Sequence, residues 1–223
     1  MKKIITLLAI VGLFTTSHLA FAETSVSNNE KSNIMLEEGR QFNRVLNYDK
    51  ATQKFKEAIK LNPKNAEAYF ELAKMSSDKK TAIDYYTKAI NINPNNEVYY
   101  MERGLLEYPA FDVAKAMADF NKAIEINPES SEAYAIRAAI KRDFGDYKNA
   151  IKDMDLAMKY SKDFNDAIYP ARAEAKISIQ DYDGAIADYE MAIKYAKEIN
   201  NTVKYEMYKK RLEMLKQAKK IFK

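Results

Sequence analysis

Histidine and cysteine, the side chains that most often act in catalysis and metal binding, are almost absent from this sequence of 223 residues. It has no cysteine, and its single histidine, His18, lies in an N-terminal segment with signal-peptide features. The rest of the chain therefore lacks thiol nucleophiles, histidine acid–base relays and zinc sites with nitrogen or sulfur ligands. Phosphate-binding loops of the form GxxxxGK[ST] or GxGxxG do not occur either.

Carboxylates are the remaining candidates for chemistry. Pairs such as Asp153 and Asp155 occur, but on segments this rich in charge they are expected to form solvated helix faces. A hydrolase built from carboxylates alone stays open as an alternative, because composition does not test for a pocket with two facing acids. The sequence predicts a protein that is not an enzyme and that uses no cofactor or metal ion.

One pattern recurs along the chain, and residues 116–128, AMADFNKAIEINP, show it clearly. An alanine is followed after four residues by a large apolar residue, after seven by a second alanine, and after eight by an aliphatic residue or methionine. The first alanine of each copy is Ala51, Ala82, Ala116, Ala150 or Ala185, at steps of 31, 34, 34 and 35 residues. A period of this length indicates a repeat protein.

The spacing within each copy places its four apolar residues on one face of an α-helix. The alanines let another helix approach closely, while the large residue fills the space beside them. A second apolar-periodic segment precedes each copy, so every repeat is predicted to be a helix, a turn and a helix. One such hairpin cannot bury its apolar face alone, and neighbouring hairpins must stack. The predicted fold class is therefore all-α.

The chain resembles the tetratricopeptide repeat (TPR) family, whose pattern has a large apolar residue at position 4, a small one at position 8 and proline at position 32. Position 4 is Met35, Tyr69, Tyr100, Tyr134 and Tyr169, and position 8 is Gly39, Ala73, Gly104, Ala138 and Ala173. Pro63, Pro94 and Pro128 hold position 32 in the first three repeats. The resemblance implies a right-handed α-solenoid of about five helix-turn-helix repeats, at 32–65, 66–96, 97–130, 131–165 and 166–199.

Three departures from the family pattern affect the predicted helices. Repeat two lacks three residues between its helices, at Lys74–Lys80, so its first helix is expected to be shorter or its turn tighter. Lys162 and Lys197 replace the proline of repeats four and five, which leaves those turns less defined. Pro170 stands near the start of a helix, where proline is tolerated, or else delays that helix.

Residues 1–22 have the charged start, the apolar run and the Ala20-Phe21-Ala22 site of a secretory signal peptide. Cleavage after Ala22 is predicted, which makes the mature protein periplasmic or secreted in a bacterium. An uncleaved membrane anchor is the alternative, although the apolar run is shorter than the ~20 residues of a membrane span. Residues 23–31 are polar without periodicity and are predicted to be a flexible leader.

The C-terminal segment 200–223 is predicted to be a basic amphipathic helix that caps the last repeat. Its apolar residues, among them Tyr208, Leu212 and Leu215, recur at three- and four-residue steps. Residues 197–223 carry nine Lys or Arg and three Glu, a formal charge of +6. The alternative role of this helix, through residues 204–223, is to tether the protein to an anionic membrane or envelope surface.

Sixteen tyrosines raise a further binding chemistry, the stacking of sugars or single-stranded nucleic acid on aromatic rings. Nine of the sixteen fall at packing positions of the repeat, such as Tyr86, Tyr134 and Tyr182. Loss of Lys2 and Lys3 with the signal peptide lowers the formal charge from +4 to +2, which does not favour nucleic acid. The tyrosines are therefore predicted to be core residues, and no nucleic-acid partner is expected.

The resemblance also implies a concave groove lined by the first helices of the repeats, chiefly through positions 2, 5, 9 and 12. The residues selected on this basis for partner binding are Leu36, Arg40, Phe70, Lys74, Met101, Leu105, Tyr108 and Arg142. The middle of the groove is apolar, so a peptide or helix with an apolar face is the expected partner. The alternative is that the chain's own leader or C-terminal helix fills the groove.

One TPR subclass grips a C-terminal carboxylate with Lys, Asn and Arg at set groove positions. Those positions here hold Leu36, Arg40, Glu71, Val98 and Glu102, and the two acids argue against such a clamp. The predicted function is a non-enzymatic scaffold or adaptor of the bacterial cell envelope that binds an unidentified protein or peptide. Self-association through the terminal repeats stays open as an alternative.

Overall fold

The computed structural model describes residues 27–108, 112–161 and 167–221, and all regular secondary structure in these ranges is α-helical. The helices of the described chain are α1 Asn28–Arg44, α2 Tyr48–Leu61, α3 Ala66–Met75, α4 Lys79–Ile92, α5 Glu97–Glu107, α6 Val113–Ile126, α7 Ser131–Asp143, α8 Tyr147–Tyr160, α9 Ile168–Ser178, α10 Tyr182–Glu198 and α11 Thr202–Ile221. None of the helices in these ranges is both long and apolar enough to cross a membrane. The predicted signal peptide, residues 1–22, lies outside the described residues.

The chain divides into two compact units, Met1–Pro94 and Asn95–Lys223, here called unit 1 and unit 2. In unit 1, α1 pairs with α2 and α3 with α4. In unit 2, α5 pairs with α6, α7 with α8 and α9 with α10, and α11 packs against α10. Within each unit, the second helix of one hairpin also packs against the first helix of the next. The fold class is all-α and consists of stacked helical hairpins, as predicted.

The recurring alanines and large apolar residues form the core of each hairpin. In α2, Ala51 and Phe55 are fully buried. A Cβ atom added at Gly39 of α1 would come within 2.5 Å of the Phe55 ring, so the small residue at position 8 leaves the space that this ring fills. In unit 2 the same relation holds between Gly104 and Phe120, at 3.1 Å.

Helix α1 begins earlier than the sequence predicted. Its start is a capping box: the Glu30 N–H donates to Ser27 Oγ, and the Ser27 N–H donates to the Glu30 carboxylate. Residues 28–31, predicted to belong to a flexible leader, are therefore part of the helix, and the Ser27-x-x-Glu30 spacing is the signal that reveals this start. Helices α3, α5 and α7 begin at Ala66, Glu97 and Ser131.

Proline ends the second helix of each of the first three repeats. Helices α2, α4 and α6 stop two residues before a proline, and the intervening asparagines have non-helical ψ angles of 98°, 88° and 92°. The proline ring causes this, because it disfavours the helical conformation of the residue before it. Helix α10, where Lys197 replaces the proline, has 17 residues instead of the 14 of α6. Lys162, the other such departure, lies outside the described residues.

Two further departures from the repeat pattern have local structural consequences. Helix α3 has only 10 residues, in keeping with the three residues that repeat two lacks. Pro170 is the third residue of α9, which begins at Ile168. The first four N–H groups of a helix have no partner within it, so proline at this position removes no helical hydrogen bond.

The turns within three of the hairpins close in the same way. Leu46, Gly145 and Gln180, which follow α1, α7 and α9, have positive φ angles of 59°, 79° and 64°. The N–H of the next residue donates to the carbonyl oxygen five residues earlier, at 2.9, 2.8 and 2.8 Å. These are Schellman caps, which favour glycine at the residue of positive φ. Leu46 and Gln180 therefore hold a conformation that is unfavourable for a residue with a Cβ atom.

Candidate partner-binding surface

Buried ion pairs join the two helices of each hairpin in unit 2. The pairs are Arg103–Asp119, Arg137–Asp153 and Arg172–Asp188, in which arginine Nε and Nη2 both donate to the carboxylate at 2.5 to 2.9 Å. The three aspartates are only 2–4% exposed. Such charge-assisted, two-point contacts are strong and fix geometry. Sequence reasoning missed these pairs, although an arginine followed sixteen residues later by an aspartate recurs in three successive repeats.

In two of these three ion pairs a lysine also contacts the aspartate, whereas among the described residues the Arg103–Asp119 pair has no such lysine. Lys141 and Lys176 lie 2.8 Å from Asp153 and Asp188, respectively. The corresponding residue of repeat three is Glu107, which is 6% exposed and whose Oε2 atom accepts no hydrogen bond. Burial, and next the nearby Asp119 carboxylate, raise the pKa of Glu107. The first hairpin of unit 2 thus contains a buried carboxyl oxygen that accepts no hydrogen bond from the described residues.

The groove residues predicted near the start of unit 1 are part of the core and of a polar network. Leu36 is 6% exposed and packs in the core of the first hairpin. Arg40 donates hydrogen bonds to Glu37, Glu67 and Glu71 at 2.9, 2.7 and 2.7 Å. Leu36 therefore offers little surface to a partner, and the guanidinium group of Arg40 is occupied by three carboxylates.

Phe70 and Lys74, the other groove residues predicted in unit 1, lie together on α3. The Phe70 ring packs against Tyr86, with centroids 5.7 Å apart. Lys74 Nζ lies 5.3 Å from the Phe70 centroid, within the range of a cation–π interaction. The partly exposed aromatic ring of Phe70 is thus associated with a cation from its own helix.

The four groove residues predicted in unit 2 differ in accessibility. Leu105 is 40% exposed, whereas Met101 is 7% exposed and belongs to the core. Tyr108 Oη donates to Asp143, which also accepts from Arg142 Nη2 at 3.0 Å. The bond to Asp143 raises the pKa of Tyr108, and it lowers the pKa of Asp143. The structure therefore brings Tyr108 and Arg142 together through a carboxylate that the sequence analysis did not select.

Positions 2, 6 and 9 of each first helix in unit 2 form an accessible stripe along that helix. These positions are four and three residues apart, so they share one helix face. They hold Val98, Glu102 and Leu105 on α5, Glu132, Ile136 and Ala139 on α7, and Ala167, Ala171 and Glu174 at the start of and along α9. All nine side chains are at least partly exposed; six are apolar, three are glutamate and none is a cation. We call this set the unit 2 surface.

The corresponding stripe of unit 1 is polar throughout. It holds Asn33, Glu37 and Arg40 on α1 and Glu67, Glu71 and Lys74 on α3. In both units the predicted position 5 includes a buried residue, Leu36 or Met101, whereas position 6, which was not selected, contributes accessible residues such as Glu102 and Ile136. The helical period starting from position 2 is the signal that would have identified position 6.

Segments of the chain match family models of helical repeats. Residues 47–75 match a model described as TPR repeat, and residues 66–96 and 99–130 match a model described as Tetratricopeptide repeat. The matched segments extend from the start of α2 to the turn after α6. No curated protein sequence matches the chain.

Several solved structures have the same fold. The MamA protein is similar with a TM-score of 0.67 and 18% identity, over 77% of this chain and 95% of MamA. A tetratricopeptide repeat protein from Parabacteroides merdae is similar with a TM-score of 0.68 and 19% identity, over 83% of this chain and 73% of the other. YrrB, described as a TPR protein with an unusual peptide-binding site, is similar with a TM-score of 0.61 and 15% identity, over 72% of this chain and 84% of YrrB.

Identities this low carry the fold and nothing more. Stacked helical hairpins that present one face of their first helices define the class of α-solenoid repeat proteins. Within that class, the matched family models and several of the similar structures are both described as tetratricopeptide repeats. Residues 47–96 and 99–130 thus match tetratricopeptide repeats in sequence, and the similar structures, among them MamA, share the fold of stacked helical hairpins.

Proposed function

We propose that this protein is a non-enzymatic scaffold that binds a partner protein or peptide at the unit 2 surface. The observation that carries the proposal is the pair Val98 and Leu105, each 40% exposed on the same face of α5. The next first helices have small residues, Ala139 and Ala171, on the corresponding face, which leaves room for side chains of a partner. A contiguous exposed apolar face is typical of a site that another molecule covers.

The fold class and the composition support this proposal. Helical repeat proteins use the extended surface of their stacked units for binding. YrrB, one of the similar structures, is described as having a peptide-binding site. The absence of cysteine, and of histidine after His18, leaves little basis for catalysis in the repeats themselves.

The test compares partner capture from a native extract by the parent protein and by the variant Val98→Ser/Leu105→Ser. A matched control, Phe144→Ser/Met191→Ser, removes apolar side chains that are 66% and 38% exposed elsewhere in unit 2. We expect a protein that is retained by the parent and the control and lost by the surface variant, with helicity checked by circular dichroism. Equal retention by both variants would contradict binding at this surface.

We also propose that the protein is exported and acts in the bacterial cell envelope or outside the cell. The charged start, apolar run and Ala20-Phe21-Ala22 site support this proposal. N-terminal sequencing of the protein from the cells that make it is expected to begin at Glu23. Recovery of an intact N-terminus in the membrane fraction would instead support the uncleaved anchor.

The contacts of α11 favour capping over the alternative role of a membrane tether. Tyr208, Leu212 and Leu215 are buried in the core that α11 forms with α10. Its cations form the ion pairs Arg211–Glu174, Lys216–Glu190 and Lys219–Asp183 with α9 and α10. Both the apolar face and three of the basic residues of α11 are therefore occupied within unit 2.

A further inference from the structure

We infer that the segment bound at the unit 2 surface is a cationic amphipathic helix, an inference that rests on the proposed function. The surface combines six apolar residues with three glutamates and no cation. Among the described residues, Glu102 and Glu132 form no ion pair. A partner that covers the apolar residues must also approach these carboxylates, and complementary positive charge makes that approach favourable.

The negative charge persists because the cations of the same helices are used elsewhere. Arg103, Arg137 and Arg172 bind the buried aspartates, with Lys141 and Lys176 beside two of them. Arg142 pairs with Asp143. In unit 1, by contrast, Arg40 lies on the equivalent stripe and binds three glutamates itself. The unit 2 surface therefore has glutamates that only a cation from a partner can pair with, whereas the glutamates on the corresponding face of unit 1 are already paired with Arg40.

Unit 2 contains an internal example of the proposed recognition. Helix α11 is basic and amphipathic, and its leucines and tyrosine pack against α10. At the same time Arg211 of α11 pairs with Glu174, the glutamate of the surface that lies on α9. Glu102 on α5 and Glu132 on α7 have no such cation among the described residues. A second basic helix, supplied by a partner, would meet these two carboxylates in the way that α11 meets Glu174.

The spacing of the exposed apolar residues suits a helix better than an extended peptide. Val98 and Leu105 are seven residues apart, or about 10 Å along α5. Residues seven apart on a partner helix have the same rise and lie on one face, so two of its apolar side chains can contact this pair together. An extended peptide covers about 10 Å in three residues, and because its side chains alternate between faces, residues three apart point in opposite directions and cannot both contact this pair.

Fluorescence anisotropy with labelled model peptides tests the inference. The probe is a leucine–lysine peptide of about 18 residues, ~27 Å long as a helix, with its leucines on one helical face. One control peptide replaces every lysine by glutamate, and another keeps the composition but scrambles the order so that the leucines share no face. The protein variant is Glu102→Lys/Glu132→Lys. Its charge-matched control is Glu125→Lys/Glu198→Lys, which changes exposed residues elsewhere in unit 2.

The leucine–lysine helix is expected to bind at least about tenfold more tightly than either control peptide, because it alone supplies cations and a continuous apolar face. The variant Glu102→Lys/Glu132→Lys should weaken this binding about tenfold, since it turns two attractions into repulsions. The charge-matched control should bind as the parent does. The inference is overturned if the lysine helix does not bind, if the glutamate or scrambled peptide binds equally well, or if Glu102→Lys/Glu132→Lys has no effect.

The variant Val98→Ser/Leu105→Ser separates failure of this inference from failure of the proposed function. If that variant loses binding of the glutamate or the scrambled peptide, the surface binds partners, but partners of another charge or conformation. If it retains every peptide at full affinity, binding occurs elsewhere, and the proposed function fails together with the inference. Circular dichroism of the bound lysine peptide, expected to show a gain of helix, checks the conformation independently.

Discussion

Position 11 of the repeat shows how strongly one residue changes the buried charge of a hairpin. Where it is lysine, as at Lys141 and Lys176, a buried aspartate gains a second cation. Where it is Glu107, the hairpin instead contains two buried carboxyl groups near a single arginine, Arg103. Burying a carboxylate without a partner is unfavourable, because desolvation penalises its charged form. The first hairpin of unit 2 is therefore expected to be its least stable one.

The substitution Glu107→Lys is expected to raise the free energy of unfolding by about 1 kcal/mol, because it removes an unsatisfied buried oxygen and supplies the missing cation. Urea unfolding measures the difference. The reverse exchange, Lys141→Glu, recreates the arrangement of repeat three in repeat four and is expected to destabilise the protein. A destabilised Glu107→Lys protein would show that the lysine does not reach Asp119.

The same carboxyl group is expected to make stability depend on pH. Burial, followed by the effect of Asp119, raises the pKa of Glu107 in the folded state, so folding favours its protonated form. Its unfavourable contribution is complete above the raised pKa and disappears as the pH falls through that pKa toward the unfolded value. Glu107→Gln should therefore stabilise the protein at neutral pH and have little effect in acid. Urea unfolding over a pH series tests this, and a constant difference at every pH would contradict it.

Asp153 is expected to be among the most sensitive polar residues, because two cations depend on it. Asp153→Ala leaves Arg137 and Lys141, whose side chains are only 16% and 19% exposed, without their acid. We expect a loss of about 3 kcal/mol in the free energy of unfolding. The control Glu125→Ala removes an exposed pair with Lys122 and should have no measurable effect on unfolding in urea. Similar losses in both variants would argue against a special role for the buried pair.

At the scale of helices, the features that could be predicted are those that each repeat encodes locally. The spacing of alanines and large apolar residues identified the core of every hairpin, and proline marked where three second helices end. Features that depend on contacts between helices, namely which first-helix residues are buried and which side chains form ion pairs, were missed. Leu36 and Met101 occupy position 5, which the family resemblance assigned to the groove, yet they are only 6% and 7% exposed and belong to the core. Periodicity also did not reveal the arginine–aspartate pairs, which form between helices.

The residues with positive φ angles in the Schellman caps also allow a test at the scale of helices. Leu46 has a φ of 59° and is 69% exposed, so its side chain contributes strain and little packing. Leu46→Gly is expected to stabilise the protein by about 1 kcal/mol. Gly145 has a φ of 79° with open space where a Cβ would stand, so Gly145→Ala should destabilise it by a similar amount through strain alone. Urea unfolding of both variants decides, and a destabilised Leu46→Gly protein would show that the leucine contributes contacts.

At the scale of the whole molecule, the two units differ in what their first helices present. The stripe of unit 1 is polar and its charges pair with one another around Arg40. The unit 2 surface is apolar and acidic, and its glutamates on α5 and α7 have no ion pair among the described residues. Because each repeat of a solenoid interacts mainly with its neighbours, such a division lets one part of the chain carry binding while another is satisfied internally. This division could not be read from composition, since both stripes contain three glutamates.

The same nearest-neighbour rule makes a prediction for α11. Leu212→Ser/Leu215→Ser should loosen α11 and expose the buried face of α10, including Tyr189 and Ala196, which are each 2% exposed. Hydrogen exchange is expected to show loss of protection in α9 and α10, whereas the helices of unit 1 keep theirs. The control Met207→Ser/Met214→Ser, at residues 41% and 61% exposed on α11, should change neither. Unchanged protection of α10 in the first variant would argue against a capping role, and equal loss in α1 to α4 would show that the whole chain unfolds as one cooperative unit.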